Sequence, residues 1–216
     1  MTHRILSIRF PKAPAMLPEE LRRLVNQINN WANTLLHNHG GEDELGYPRV
    51  QYRSIANRPA IWGLDEGIDA VETIIDELSG RLGKPTVQFD EFEPGKYINL
   101  LKYKCESLLP FNEENYSKWK GEVSLRKRVE LVEGLLKDHV SNFYQNLGAN
   151  MQGRDVNLVL HTMDRKPSVE FSGSGQTMKF LCFETIFFTD LLLPVGLGLG
   201  KGKAKGHGIT LPMEVH

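Results

Sequence analysis

Tyr47-Pro48-Arg49-Val50-Gln51-Tyr52-Arg53-Ser54, followed across Ala56-Asn57-Arg58 by Pro59-Ala60-Ile61-Trp62-Gly63-Leu64, is the stretch whose reading decides the fold. Both runs are rich in β-branched and aromatic residues, and a short polar segment separates them, which predicts two strands joined by a turn. Helical patterns flank the pair. Upstream, Pro18 suits the first turn of a helix, and Glu19 and Glu20 favour the positive end of its dipole. Leu21, Leu24, Val25, Ile28, Ala32 and Leu35 then recur at helical spacing, with Gly40-Gly41 as the stop. Downstream, Asp65 stands where it can cap a helix whose core face is Ile68, Val71, Ile75, Leu78 and Leu82. Further out, the segment from Arg4 to Phe10 alternates, with Leu6, Ile8 and Phe10 on one face and Ser7 and Arg9 on the other. Thr86 to Phe89 and Tyr97 to Tyr103 read as a further hairpin. The order β-α-β-β-α-β is the ferredoxin-like pattern.

After Pro110 the chain turns polar, and then Leu125, Val129, Val132, Leu136, Val140, Phe143 and Leu147 mark a long helix ending at Gly148. Strand-like segments follow at residues 156–161, 169–171 and 178–188, then a glycine-lysine loop and a short tail. The expected architecture is α+β, with two tandem domains at residues 1–108 and 109–216, the second divergent.

Composition narrows the function. With 40% hydrophobic and 25% charged residues, the 216-residue chain is ordinary globular material and not a disordered segment. No apolar run reaches the roughly 18 residues a membrane span needs, and no signal-peptide layout opens the chain, so a cytoplasmic protein with no membrane partner is expected. Cys105 and Cys182 make no ligand spacing and read as buried apolar residues. The net charge is −1, and the halves are alike: residues 1–110 carry 13 basic and 15 acidic groups, residues 111–216 carry 13 and 12. A protein coating nucleic acid without specificity would be far more basic, so any nucleic acid must be met by a local patch.

Three stretches can carry chemistry. His37-Asn38-His39 sits just before Gly40-Gly41 and reads either as helix termination or as an acid–base pair, because imidazole titrates nearest neutrality. No further ligands accompany the pair, so no metal and no cofactor are expected. Period-two alternation then puts Tyr47, Arg49, Gln51 and Arg53 on one strand face, where a phenol and two guanidiniums could hold a phosphate or simply meet solvent. Finally Gly198, Gly200, Lys201, Gly202, Lys203, Lys205, Gly206, His207 and Gly208 form a loop in which glycines bring backbone N–H groups close to an anion and lysines add charge. It fits neither the dinucleotide fingerprint nor the phosphate loop of nucleotide enzymes, and only eight residues follow it. Trp31 and Trp62 read as core or core-edge packing, and His139 and His161 as structural histidines.

Together these features resemble the CRISPR-associated endoribonucleases of the repeat-associated mysterious protein superfamily, in particular the subgroup with a divergent second domain. The likeness rests on Leu35-Leu36-His37-Asn38-His39, on Tyr47 to Arg53 with Ile61-Trp62-Gly63-Leu64-Asp65-Glu66-Gly67, and on Leu193-Pro194 running into the glycine loop. Leu109-Pro110-Phe111-Asn112 and Asn115-Tyr116 resemble the start of the second domain. The resemblance implies two ferredoxin-like halves and metal-independent cleavage of precursor CRISPR RNA within its repeats. In that chemistry the 2′-hydroxyl attacks, leaving a 2′,3′-cyclic phosphate and a 5′-hydroxyl. It implies His37, His39 and Tyr47 as catalytic residues and the glycine loop as an RNA-binding element; the chemistry of in-line attack, which needs donors where charge builds, adds Arg49 or Arg53 as donors to the phosphate. Two positions depart from the family's habit: His207 stands where a large apolar residue is usual, and Asp190 where asparagine is commoner. The alternative is a non-catalytic repeat-RNA-binding module of a CRISPR effector complex. Homodimerisation and association with other effector subunits stay open.

Overall fold

The computed structural model of the chain describes residues 1–37, 46–149, 156–173 and 176–214. The chain divides into two compact units, Met1–Glu93 with Ala204–Gly206, and Pro94–Lys203 with His207–His216.

The first unit runs β1 (His3–Arg9), α1 (Pro18–Ile28), α2 (Thr34–His37), β2 (Val50–Ile55), β3 (Arg58–Leu64), α3 (Glu66–Glu72), α4 (Ile75–Leu82) and β4 (Thr86–Phe92). Its antiparallel sheet has the order β2-β3-β1-β4. The β2–β3 hairpin closes at Ile55↔Arg58, and Ala56 and Asn57 take φ of 50° and 60°. That is a two-residue turn of the primed type, whose twist matches the strands it joins. Leu6, Ile8 and Phe10 are buried as the alternation requires, in a core with Leu21, Val25, Val50, Tyr52, Ile61 and Val71. Each such side chain contributes about 1.5–3 kcal/mol by leaving water.

Two helices differ from expectation. The first stops at Ile28 instead of running on toward Gly40, which itself lies outside the described residues. Its end is a complete Schellman closure: Trp31 N–H donates to the Asn26 carbonyl at 3.0 Å and Asn30 N–H to the Gln27 carbonyl at 3.3 Å. Asparagine tolerates the left-handed backbone this closure needs, and Asn30 takes it with φ 49°. Asn33 then restarts the helix, its side-chain oxygen accepting from Leu35 N–H at 3.0 Å. The second helix is likewise two, α3 and α4. Asp65 makes no side-chain cap; its carboxylate instead accepts from the Arg4 backbone N–H at 2.9 Å and pairs with His3 Nδ1 at 2.8 Å.

The second unit runs β5 (Lys96–Leu108), α5 (Glu113–Gly121), α6 (Leu125–Asn146), β6 (Leu158–Gly173), β7 (Gln176–Leu191) and β8 (Ile209–Met213). Its sheet order, β6-β7-β5-β8, repeats that of the first sheet when strands are counted within each unit. Tandem ferredoxin-like domains are therefore what the chain forms, with one departure. Between β7 and β8, where a second crossover helix belongs, residues 192–208 form a loop with a single 3-10 turn at Lys203–Lys205. The separate segments expected after residue 156 are one long hairpin whose register shifts between Lys166 and Val169, where Pro167 has no N–H to give.

The expected hairpin of residues 86–89 and 97–103 does not form. β4 pairs with β1, whereas β5 pairs with β7 and β8. The division expected after residue 108 accordingly falls after Glu93, at Pro94-Gly95, and β5 belongs to the second unit. Among the described residues no helix is long and apolar enough to cross a membrane.

Candidate active site

His37 ends the α2 turn, and three groups hold it there. Its Nε2 lies 3.1 Å from the Trp31 carbonyl, so Nε2 carries the proton and a neutral ring has its lone pair on Nδ1. The His37 carbonyl accepts from the Arg22 guanidinium on α1. The neighbouring Leu36 carbonyl accepts from the Tyr52 hydroxyl on β2 at 2.5 Å. Burial pushes the Tyr52 phenol up, with the charge of Arg22 opposing, so the hydroxyl remains a donor. His39 lies outside the described residues.

Trp31, expected in or near the core, is 54% exposed, whereas Trp62 is fully buried as expected. The indole packs against the His37 ring with centroids 5.9 Å apart and planes tilted by 59°. Its backbone is left-handed, φ 59°, directly after Asn30. For a bulky residue that conformation costs about 1–3 kcal/mol. No composition or periodicity signal marks this residue; only the asparagines before it hint that the helix ends there.

The β2 face is a buried polar chain. Gln51 donates from Nε2 to the Tyr47 hydroxyl at 2.7 Å and accepts at Oε1 from Arg53 at 3.0 Å. The Arg53 guanidinium lies 5.0 Å from the Trp62 ring centroid, a cation–π contact. Burial lowers Arg53 to about 9, Tyr47 working against that and Arg9 with it, and the guanidinium stays charged at neutral pH. Tyr47, Gln51 and Arg53 thus come together as the alternation predicts, but as buried groups and not a solvent-facing phosphate clamp. Arg49 leaves the set: its Nε pairs with Glu66 at 2.8 Å and its NH1 with Asp65 at 3.6 Å. A guanidinium with two carboxylates already at hand is poorly placed to receive a phosphate.

The glycine loop is built chiefly to pack. Leu197 and Leu199 are buried between its glycines. Leu199 N–H donates to the Gly208 carbonyl at 2.9 Å, Gly208 N–H to Ser107 at 3.1 Å, Lys201 N–H to Leu109 at 2.8 Å and His207 N–H to Gly202 at 3.3 Å. Gly198 bridges to Ile209. Several of the amides expected to cradle an anion are therefore engaged within the chain. The His207 ring meets Phe171 edge-on with centroids 5.4 Å apart. Lys201 is exposed, and burial lowers the half-buried Lys203, with Lys201 adding to the effect. The segment Ala204–Gly206 belongs to the first unit, where Lys205 Nζ pairs with Glu19 at 2.9 Å. A Cβ on Gly206 would stand 3.0 Å from the Tyr52 carbonyl and 3.4 Å from Arg53 Cα. Arg53 and the tip of the loop are in this way neighbours.

Family models decide the kinship. One for the Cas6b N-terminal domain matches residues 1–91, and one for the Cas6b C-terminal domain matches residues 96–213. The chain belongs to the Cas6b family. A crystal structure of Cas6b matches with a TM-score of 0.82 at 19% identity, covering 99% of this chain and 100% of that one. A crystal structure of the CRISPR RNA processing endoribonuclease Cas6b matches at 0.73 and 19%, with the same coverage. Csf5, a type IV CRISPR-Cas Cas6 crRNA endonuclease, matches at 0.66 and 12%, again over 99% and 100% of the two chains. At these identities the likeness is one of fold. No curated protein matches the chain.

His139, on α6 of this Cas6b chain, is the second residue whose setting the sequence hides. Burial pushes its imidazole down to about 4, the charges of Lys203 and Lys201 add to that, and a hydrogen bond with the Pro110 carbonyl opposes it. The unfolded chain takes up this proton near 6.5, the folded chain only near 4. Stability is therefore lost as pH falls through that window, at up to about 1.4 kcal/mol per pH unit. Urea unfolding of wild type and His139→Leu between pH 4 and 7 checks this, the variant giving the flatter dependence.

Proposed function

We propose that this Cas6b chain is a metal-independent endoribonuclease that cuts precursor CRISPR RNA within its repeats. The carrying observation is the His37 imidazole, fixed at a helix end by Arg22, Tyr52 and Trp31 in a chain of the Cas6b family. The reading is supported by fold relatives described as a CRISPR RNA processing endoribonuclease and a crRNA endonuclease. In the proposed reaction the 2′-oxygen forms a bond to phosphorus, the bond to the 5′-oxygen breaks, and the products end in a 2′,3′-cyclic phosphate and a 5′-hydroxyl. His37 and His39 take the 2′-proton and supply one to the leaving 5′-oxygen. Tyr47, hydrogen-bonded by Gln51, orients the reacting groups. Arg53 adds a buried positive charge on β2 that favours the negative charge building on phosphate. Arg49 serves to anchor the start of β2 against Glu66. Lys201, Lys203 and Lys205 contact the RNA, and the packed glycines hold the loop that carries them. These lysines supply a local, salt-sensitive attraction that the net charge of −1 does not.

The test is the chemistry of the ends. Repeat RNA cut in excess EDTA is expected to yield one 3′ product that polynucleotide kinase labels without prior phosphatase, and a 5′ product with a blocked 3′ end. Products with a 5′-phosphate and a 3′-hydroxyl would overturn the mechanism. Tight binding with no cut would replace the enzyme by the RNA-binding module.

A further inference from the structure

We propose that Trp31 is a stacking platform for an unpaired nucleobase of the RNA, next to the phosphate that is cut. The proposal rests on the endoribonuclease reading above and deepens it. Two independent observations point to it. The indole is 54% exposed, yet its ring packs against His37 and its carbonyl meets His37 Nε2 at 3.1 Å. Whatever lies on the open part of the indole is a near neighbour of the imidazole proposed to move protons.

The backbone supplies the second. In a Schellman closure the residue after the left-handed position commonly folds its apolar side chain back onto the last helical turn. Here the closure is complete, with both hydrogen bonds made, and Asn30 already provides the left-handed residue. Trp31 then adds a second left-handed backbone, which the closure does not require, and the result is an indole held out in solvent. A strained backbone that exposes the largest aromatic side chain works against folding. What an exposed indole offers is a flat π-face, and every nucleobase has one to stack on it. Single-stranded RNA is recognised largely through such aromatic platforms.

A mutant cycle on RNA tests this. Binding is measured with uncleavable repeat RNA, carrying one 2′-deoxy nucleotide at the cut, against wild type, Trp31→Phe, Trp31→Ala and Trp31→Gly. The same RNA is also made with an abasic nucleotide at each position flanking the cut. Trp31→Ala and Trp31→Gly are expected to weaken binding by about 5- to 150-fold, the range found when one base loses its aromatic partner, and Trp31→Phe by much less. At one flanking position the abasic RNA should bind wild type and Trp31→Ala equally. Trp31→Gly relieves the left-handed strain, so its melting temperature should match or exceed that of wild type while its affinity falls. Unchanged affinity in Trp31→Gly, or the same loss with every abasic RNA as with intact RNA, would overturn the platform. Because the cycle reads binding to uncut RNA, its failure is separable from that of the endoribonuclease reading, which wild-type cleavage of the all-ribose RNA decides.

Discussion

Alanine at both His37 and His39 is expected to slow single-turnover cleavage of repeat RNA by at least about 10²–10⁴-fold, the range for losing a positioned acid or base. RNA affinity should change little. The fold should survive, because the hydrogen bond from His37 to the Trp31 carbonyl is partly exposed and is worth about 0.5–1.5 kcal/mol. Arg22 and Tyr52 hold the turn through the backbone carbonyls of His37 and Leu36, which alanine keeps. Rates are best measured across pH 5–9, since removal of the acid–base pair should also flatten the profile. A double variant that cuts at the wild-type rate would remove both histidines from the mechanism.

Gly208→Ala carries the largest expected cost in stability. Gly208 has φ +69°, and a Cβ there would stand 1.8 Å from the Leu199 carbonyl oxygen and 2.8 Å from its carbon. Both are backbone atoms that no side-chain rotation can move aside. The Leu199–Gly208 and Gly208–Ser107 hydrogen bonds would part together. Strain and broken hydrogen bonds together should cost about 2–4 kcal/mol, seen as a lower urea midpoint, and RNA binding should fall with the loop. Gly134→Ala is the control. It sits inside α6 with nothing within 4 Å of its added Cβ, so it should gain about 0.5–1 kcal/mol in helix propensity. Equal midpoints for the two variants would refute the packing account of the loop.

Much of the fold was legible in the sequence for local reasons. Leu6, Ile8 and Phe10 alternate because β1 buries one face against helices, and a period of two survives any detail of packing. The β2–β3 hairpin follows from two apolar runs and a short polar turn. What failed depends on partners distant in sequence. Residues 86–89 and 97–103 look like neighbours in one hairpin, yet β4 finds β1 and β5 finds β7, because periodicity gives a strand's faces and not its partners. The end of α1 is hidden because Leu21 through Leu35 keep a helical spacing that the asparagines at 29, 30 and 33 override.

The candidate site was legible to the same degree. The association of Tyr47, Gln51 and Arg53 follows from strand alternation. Their burial, and the capture of Arg49 by Glu66, depend on residues elsewhere in the chain. The glycines of the loop read as an anion cradle because glycine permits close approach of any kind. In the structure the approaching atoms at Gly206 and Gly208 are the protein's own backbone. Trp31 reads as core material because large apolar residues usually are buried, and backbone strain leaves no trace in composition.

The most direct test of the central claim changes one atom of the substrate. Repeat RNA is incubated with the chain in EDTA and its cut is mapped. It is then compared with RNA that differs by a single 2′-deoxy nucleotide immediately upstream of that cut. The account predicts cleavage of the first and none of the second, with both bound equally well. Cleavage of the deoxy RNA at the same bond would contradict it, because the attacking oxygen would then have to come from somewhere other than the ribose.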